Sequence, residues 1–216
     1  LVYVDPRRLA EIFLAEGTVA EVERIRAAER EARTLLHDAV DEGHAGTEPE
    51  LWRAYFLRLF RESGVPEEAL EGVGRRLREA HAHRHLWTWV EEGTEEALEG
   101  LAAAGYRLAV ISNADGRVEA LLDEVGLRSH FEFVLDSEVV GVEKPDPAIF
   151  RAACRRLELE PASCLYVGDL YPVDYLGARG AGLDAVLLDP SGYHRRRAPG
   201  VPALAELGDF LRSRED

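Results

Sequence analysis

The chain has 216 residues, with 26 Lys+Arg against 41 Asp+Glu and a formal net charge of −15. That balance argues against nucleic acid or an anionic membrane as a partner, and any anionic substrate must be met by local cations. Hydrophobic residues make up 46%, no apolar run approaches a membrane span and no signal peptide is visible, so a cytoplasmic globular protein of one domain, or one domain plus an insertion, is expected.

In chain order the first part reads as helical. Asp5-Pro6 is an N-cap followed by proline at the first helical position, with Leu9, Ile12 and Phe13 on one face behind it. Thr18-Val-Ala-Glu21 has the form of a capping box, after which Val22, Ile25, Ala32, Leu35 and Ala39 recur at helical spacing until Gly43. Thr47-Glu-Pro-Glu50 opens a third helix, with Leu51, Tyr55 and Leu59 on one stripe and Trp52, Phe56 and Phe60 beside it. Pro66 starts a fourth, which carries Leu70, Val73 and Leu77. Four amphipathic helices in succession predict a small bundle over residues 6–87. His81, His83 and His85 form H-x-H-x-H where the bundle ends; with no fourth ligand evident, they read as surface or packing histidines.

From about residue 93 the rhythm changes to helix and strand in alternation. Thr94 caps a helix ending at Gly105, and Arg107–Ile111 reads as a buried strand. Asp115 caps the next helix, which Gly126 ends, and Phe131–Leu135 is a strand. Asp146-Pro147 opens a helix through about Leu157, Cys164–Val167 is a strand, and Pro172–Ala181 a short helix. Ala185–Leu188 is the last strand, Ser191–Pro199 with Arg195, Arg196 and Arg197 a solvated loop, and Pro202–Leu211 a C-terminal helix. This alternation predicts an α/β fold: a Rossmann-like parallel sheet with helices on both faces, from residues 1–5 and 88–216, with the four-helix unit of residues 6–87 as an inserted cap. The two cysteines, Cys154 and Cys164, lie in apolar surroundings and are expected as reduced core thiols.

Ligands of open parallel sheets bind beyond the carboxyl ends of the strands. Three such ends are polar here: Ser112-Asn113, the loop leading to Lys144, and Gly168-Asp169 with Asp174 five residues on. Lys144 is the only lysine; every other one of the 26 basic residues is arginine. An ammonium is a compact point charge and a guanidinium a planar fork, so a lysine kept against that bias suits a site for a small cation. A hydroxyl, an ammonium and two carboxylates at one rim suit a phosphate and a Mg²⁺ ion, whose hard oxygen ligands Asp169 and Asp174 would be. Singly, Ser112 reads equally as a turn residue, Asn113 as a helix cap and Asp174 as a helix-start residue.

Ser112-Asn113 after an apolar strand, Lys144-Pro145, and Gly168-Asp169-x-x-x-x-Asp174 together resemble motifs two, three and four of the haloacid-dehalogenase-like hydrolases. The resemblance covers nearly the whole chain, including the inserted helical cap. It implies a Mg²⁺-dependent phosphoric-monoester hydrolase that acts on a small phosphorylated metabolite through an aspartyl-phosphate. Ser112 and Lys144 would be catalytic, Ser112 and Asn113 substrate-binding, and Asp169 and Asp174 metal-binding. The family's first motif, D-x-D-x-T, does not occur in these residues, and Asp5 reads better as a cap than as its nucleophile. The chain also contains no Met, so a first motif ahead of Leu1 is the expectation. Two other readings are a metal-free 2-haloacid dehalogenase and a non-catalytic binding protein of the same fold. A monomer or a homodimer is compatible with the sequence, and the substrate is not legible in it.

Overall fold

The computed structural model describes residues 1–44 and 46–214, which form two compact units, Val2–Val90 and Glu91–Asp216 together with Leu1. The first unit opens with strand β1 (Val2–Tyr3) and helix α1 (Pro6–Ala15). The Asp5 side chain accepts from the Arg7 N–H at 2.9 Å and Pro6 starts the helix, so this cap forms as the local sequence dictates. Leu9, Ile12 and Phe13 are the buried face.

The capping box at Thr18 does not form. Gly17 takes φ 79°, the Gly17 N–H donates to the Leu14 carbonyl and the Thr18 N–H to the Phe13 carbonyl. This is a left-handed C-terminal closure of α1, and it draws Thr18 inward before the next helix begins. Helix α2 (Val22–Asp41) therefore starts behind Glu21 with no side-chain cap, and its buried stripe is Ile25, Ala28, Ala32, Leu36 and Val40. Leu35 and Ala39 sit one position off that stripe and are only half-buried. Helix α3 (Pro49–Ser63) buries Tyr55, Leu59 and Phe60, and Phe60 meets Phe13 edge-on at 5.6 Å between ring centroids.

After a 3-10 turn at Glu67–Ala69, helix α4 (Leu70–His83) buries Leu70, Val73 and Leu77. Because α4 continues through His83, the three histidines do not share a face as they would in an extended strand. His81 and His85 pack against Trp87 at 5.6 and 5.4 Å, while His83 is exposed. Strand β2 (Trp89–Val90) closes the unit by pairing antiparallel with β1.

The second unit begins with helix α5 (Thr94–Ala103), whose N-cap is Gly93 at φ 79° and not Thr94, which is buried. Strand β3 (Val110–Ser112) pairs parallel with β4 (Val134–Asp136), with helix α6 (Val118–Glu124) between them. Asp115 does not cap α6: it accepts from the Arg117 guanidinium, and Arg117 is the N-cap. The carboxylate that reaches the start of α6 belongs to Asp136, which accepts from the Val118 N–H at 3.3 Å. Helices α7 (Ser137–Val140) and α8 (Pro147–Leu157) follow, and Asp146 caps α8 by accepting from the Ala148 N–H at 2.8 Å.

Strand β5 (Leu165–Gly168) leads through a π-helical turn at Tyr171–Leu176 into helix α9 (Gly177–Ala181). Strand β6 (Asp184–Leu188) pairs parallel with β5 and, beyond the sequence expectation, with a further strand β7 (Gly200–Val201). Helix α10 (Leu207–Arg212) ends the described chain. The β3–β4 pair and the β5–β6–β7 sheet are separate in their hydrogen bonding.

Side chains alternate across these strands as the period of two requires. Ile111, Tyr166 and Ala185 face α8 and α9, packing with Ile149, Phe150, Cys154 and Ala178. Leu108, Leu165, Val167 and Val186 face Leu101 of α5 and Leu207 of α10. Helices thus cover both faces of the parallel strands. Cys154 and Cys164 are free thiols, Cys154 buried. Among the described residues no helix is long and apolar enough to cross a membrane.

Candidate active site

The parallel register sets Ser112 beside Asp136 and Gly168 beside Leu187, so the polar residues after β3 and β5 follow the carboxyl ends of strands. The loop after β3 is held by the first residue of α7: the Ser137 hydroxyl accepts from the Ala114 N–H at 3.1 Å. Asn113 uses its whole amide on Lys144. Its Nδ2 donates to the Lys144 carbonyl at 2.9 Å, and its Oδ1 accepts from the Lys144 N–H at 2.8 Å. A side-chain amide here stands in for a strand backbone and carries Lys144 at a set distance from β3.

The Lys144–Pro145 peptide is cis, and the segment is pinned on its far side by the Asp146 cap of α8. A Cβ on Gly177 would lie 3.1 Å from Pro145 and 3.0 Å from Phe150, so glycine lets α9 press directly against this turn.

Lys144 Nζ donates to Asp174 Oδ1 at 2.7 Å and to the Tyr166 hydroxyl at 2.9 Å. Both partners of the ion pair are covered, with side-chain exposures of 11% for Lys144 and 2% for Asp174. Asp174 Oδ2 accepts from the Asp169 and Leu170 N–H groups, each at 2.9 Å. One buried carboxylate therefore links the lone lysine to the backbone of the turn that carries Asp169. Gly168 makes this fit possible: a Cβ there would stand 2.4 Å from Asp174 Cγ.

Burial by itself would lower the Lys144 pKa, but the Asp174 charge and the Tyr166 hydroxyl outweigh it and hold the ammonium above its ordinary value. Burial pushes the Tyr166 hydroxyl up, so it stays protonated. With its proton, Tyr166 lies 3.3 Å from the Ile111 carbonyl, the residue before Ser112.

Of the residues expected from sequence, Asn113, Lys144 and Asp174 are joined by direct hydrogen bonds, and Asp169 joins through its N–H. Ser112 is at the adjacent strand end, next to the carbonyl that Tyr166 reaches. Tyr166, Asp136 and Ser137 were not singled out from sequence. Tyr166 reads there as one more apolar strand residue, and its hydroxyl two positions before Gly168 is the only hint. Tyr166→Phe is expected to cost about 1–2 kcal/mol of stability, because it removes a buried acceptor from the Lys144 ammonium. Urea unfolding of the variant beside the parent measures it.

The profile of haloacid dehalogenase-like hydrolases matches residues 6–182. The chain belongs to the haloacid dehalogenase-like hydrolase family. Within that family, "Haloacid dehalogenase-like hydrolase domain-containing protein 3" of Mus musculus is 40% identical over 178 residues, which is 81% of this chain and 70% of that protein. "Phosphoglycolate phosphatase 1" of Pseudomonas aeruginosa is 33% identical over 150 residues, 69% of this chain and 54% of that protein, so the match spans about half of that relative. A HAD-hydrolase of Bacillus subtilis, solved bound to magnesium, superposes with a TM-score of 0.66 at 21% identity, covering 96% of this chain and 90% of that one, and shares the hydrolase fold.

Proposed function

We propose that this HAD-like hydrolase is a Mg²⁺-dependent phosphatase acting on small phosphate monoesters through an aspartyl-phosphate. The observation that carries the reading is the buried Asp174 carboxylate, which binds Lys144 on one oxygen and the Asp169 turn on the other. The donor set fits a hard divalent cation. A carboxylate offers about four lone-pair directions. At Asp174 three of them are met by Lys144 and the N–H groups of Asp169 and Leu170. Asp169 is then the residue to hold the ion, with Asp174 supporting it through the turn or through water. When bound, Mg²⁺ would offset the charge of phosphate and nucleophile.

The chain's own residues supply the rest. The Ser112 hydroxyl and the Asn113 N–H donate to phosphoryl oxygens, the Asn113 side chain being committed to Lys144. Lys144, held as a cation by Asp174, stabilises charge that builds up as the nucleophile approaches phosphorus. The attacking aspartate and its acid–base partner would come from a D-x-D-x-T segment ahead of Leu1, which residues 1–216 do not include. The similarity to phosphoglycolate phosphatases supports phosphoryl over halide chemistry.

The test is hydrolysis of p-nitrophenyl phosphate by the protein as its gene encodes it. Turnover is expected to vanish in EDTA and return with Mg²⁺. Metal-independent chloride release from a 2-haloacid, or an encoded N-terminus with no D-x-D-x-T, would overturn the reading.

A further inference from the structure

An ammonium has three N–H donors and turns about its last carbon–nitrogen bond, so a single partner does not fix where the other donors point. Among the described residues Lys144 Nζ has two partners, Asp174 Oδ1 at 2.7 Å and the Tyr166 hydroxyl at 2.9 Å. With two donors engaged, the tetrahedral geometry at nitrogen sets the direction of the third. Asp174 supplies the charge that keeps the ammonium in the centre, and Tyr166 stops it from turning about that ion pair.

The Tyr166 hydroxyl accepts from Nζ through a lone pair, and its one proton goes elsewhere. Two acceptors lie within reach, the Ile111 carbonyl at 3.3 Å and Asp174 Oδ1 at 3.4 Å. The carboxylate oxygen already receives the ammonium at the shorter distance, so the proton is given to Ile111. The Tyr166 ring is held edge-on by Phe150 of α8, with centroids 5.0 Å apart, and packs with the cluster between α8 and α9. The oxygen is therefore presented from a fixed base.

Lys144 is tied to β3 at both of its ends. Asn113 holds the backbone, and the hydroxyl leads from the ammonium to the Ile111 carbonyl. Ile111 and Asn113 are the two neighbours of Ser112. Among the described residues no backbone ladder joins β3 to β5, so the Tyr166 hydroxyl is a side-chain link between the strand that carries Ser112 and the strand that leads to Asp169.

We propose that Tyr166 is a positioning residue for the hydrolysis: its hydroxyl aims the third N–H of Lys144 and fixes the spacing of the ammonium from Ser112. It acts through Lys144 and touches no substrate. The role rests on the phosphatase reading and adds to it a residue that motif order does not announce. A misaimed ammonium still attracts the phosphate by its charge, but it loses the directed bond to the charge that builds up on phosphorus oxygens in the transition state. The effect therefore falls on kcat and spares KM.

Tyr166→Phe tests it on the protein as its gene encodes it, with p-nitrophenyl phosphate and Mg²⁺, because the ring stays and only the hydroxyl goes. kcat is expected to fall about tenfold or more, with KM within about twofold of the parent. Val186→Ala is the control for lost stability. Val186 is buried in β6 on the opposite face, against Leu101 and Leu207, and its variant should keep kcat within about twofold at a temperature where circular dichroism shows both variants folded. Lys144→Arg supplies the second background. A guanidinium cannot keep both bonds, so Tyr166→Phe added to it should lower kcat by less than about a further twofold. Parent turnover with an unchanged kcat in Tyr166→Phe overturns the role alone. So does a rise confined to KM, an equal loss in Val186→Ala, the same fold-loss in both backgrounds, or a Tyr166→Phe variant that does not fold. A parent inactive on p-nitrophenyl phosphate overturns the phosphatase reading and the role together.

Discussion

Lys144→Arg lowers kcat for p-nitrophenyl phosphate about a hundredfold or more while leaving the protein folded, an effect of the size seen when one electrostatic stabiliser is taken from a reacting centre. The expectation follows from the space around Nζ. The ammonium sits 2.7 Å from Asp174 Oδ1 and 2.9 Å from the Tyr166 hydroxyl, and the side chain is 11% exposed. A guanidinium keeps the charge but is planar and wider, so it cannot meet both oxygens from the position of a single nitrogen. The backbone of residue 144 remains clamped by Asn113, which reads peptide groups and is indifferent to the side chain. Steady-state kinetics with a thermal melt separates the outcomes. Near-normal turnover would mean that the lone lysine reflects composition alone, and a collapsed melt would assign its role to folding.

Asp174→Asn should unsettle the fold itself, by about 3–5 kcal/mol, the range for removing one partner of a buried ion pair. It strands the Lys144 ammonium, and the neutral amide is a poorer acceptor for the N–H groups of Asp169 and Leu170. The loss should be largest at neutral pH. Lys144 is held above its ordinary value in the folded protein, so the pair's contribution is fully present below the unfolded lysine value. It fades only as pH rises through the folded one. Urea unfolding of parent and variant at neutral pH and in alkali reads both the size and the sign. Equal stabilities at neutral pH would sink the idea that this pair holds the centre together.

Features that depend on neighbours in sequence were legible. Asp5 and Asp146 cap their helices because an aspartate bonds an N–H two positions on, wherever the rest of the chain lies. The apolar stripes of α1 and α4 follow from the 3.6-residue period alone. Competing local motifs were not separable in this way. Thr18 could cap α2 or close α1, and only the left-handed turn at Gly17 decided for α1. Asp115 stands where a cap for α6 belongs, yet the carboxylate that bonds the helix start is Asp136, delivered from the end of β4. The arginine loop is exposed as its composition suggests, but nothing nearby in sequence announces that Asp189 folds it or that Tyr171 lies under Arg197.

The family and the alternation of helix and strand lie in the sequence by itself, and so does the choice of Ser112, Asn113, Lys144, Asp169 and Asp174 as candidate site residues, because motif order and spacing along a chain carry them. The division of labour among those residues comes from the tertiary structure. Asn113 reaches 31 positions along the chain to hold Lys144, and Asp174 reaches 30 positions back to bind it. Tyr166 enters only because β5 brings its hydroxyl to Lys144 and toward the Ile111 carbonyl of β3. Such bonds form between residues that the parallel strands bring to one rim, and no local pattern in the chain encodes which donor will face which acceptor there.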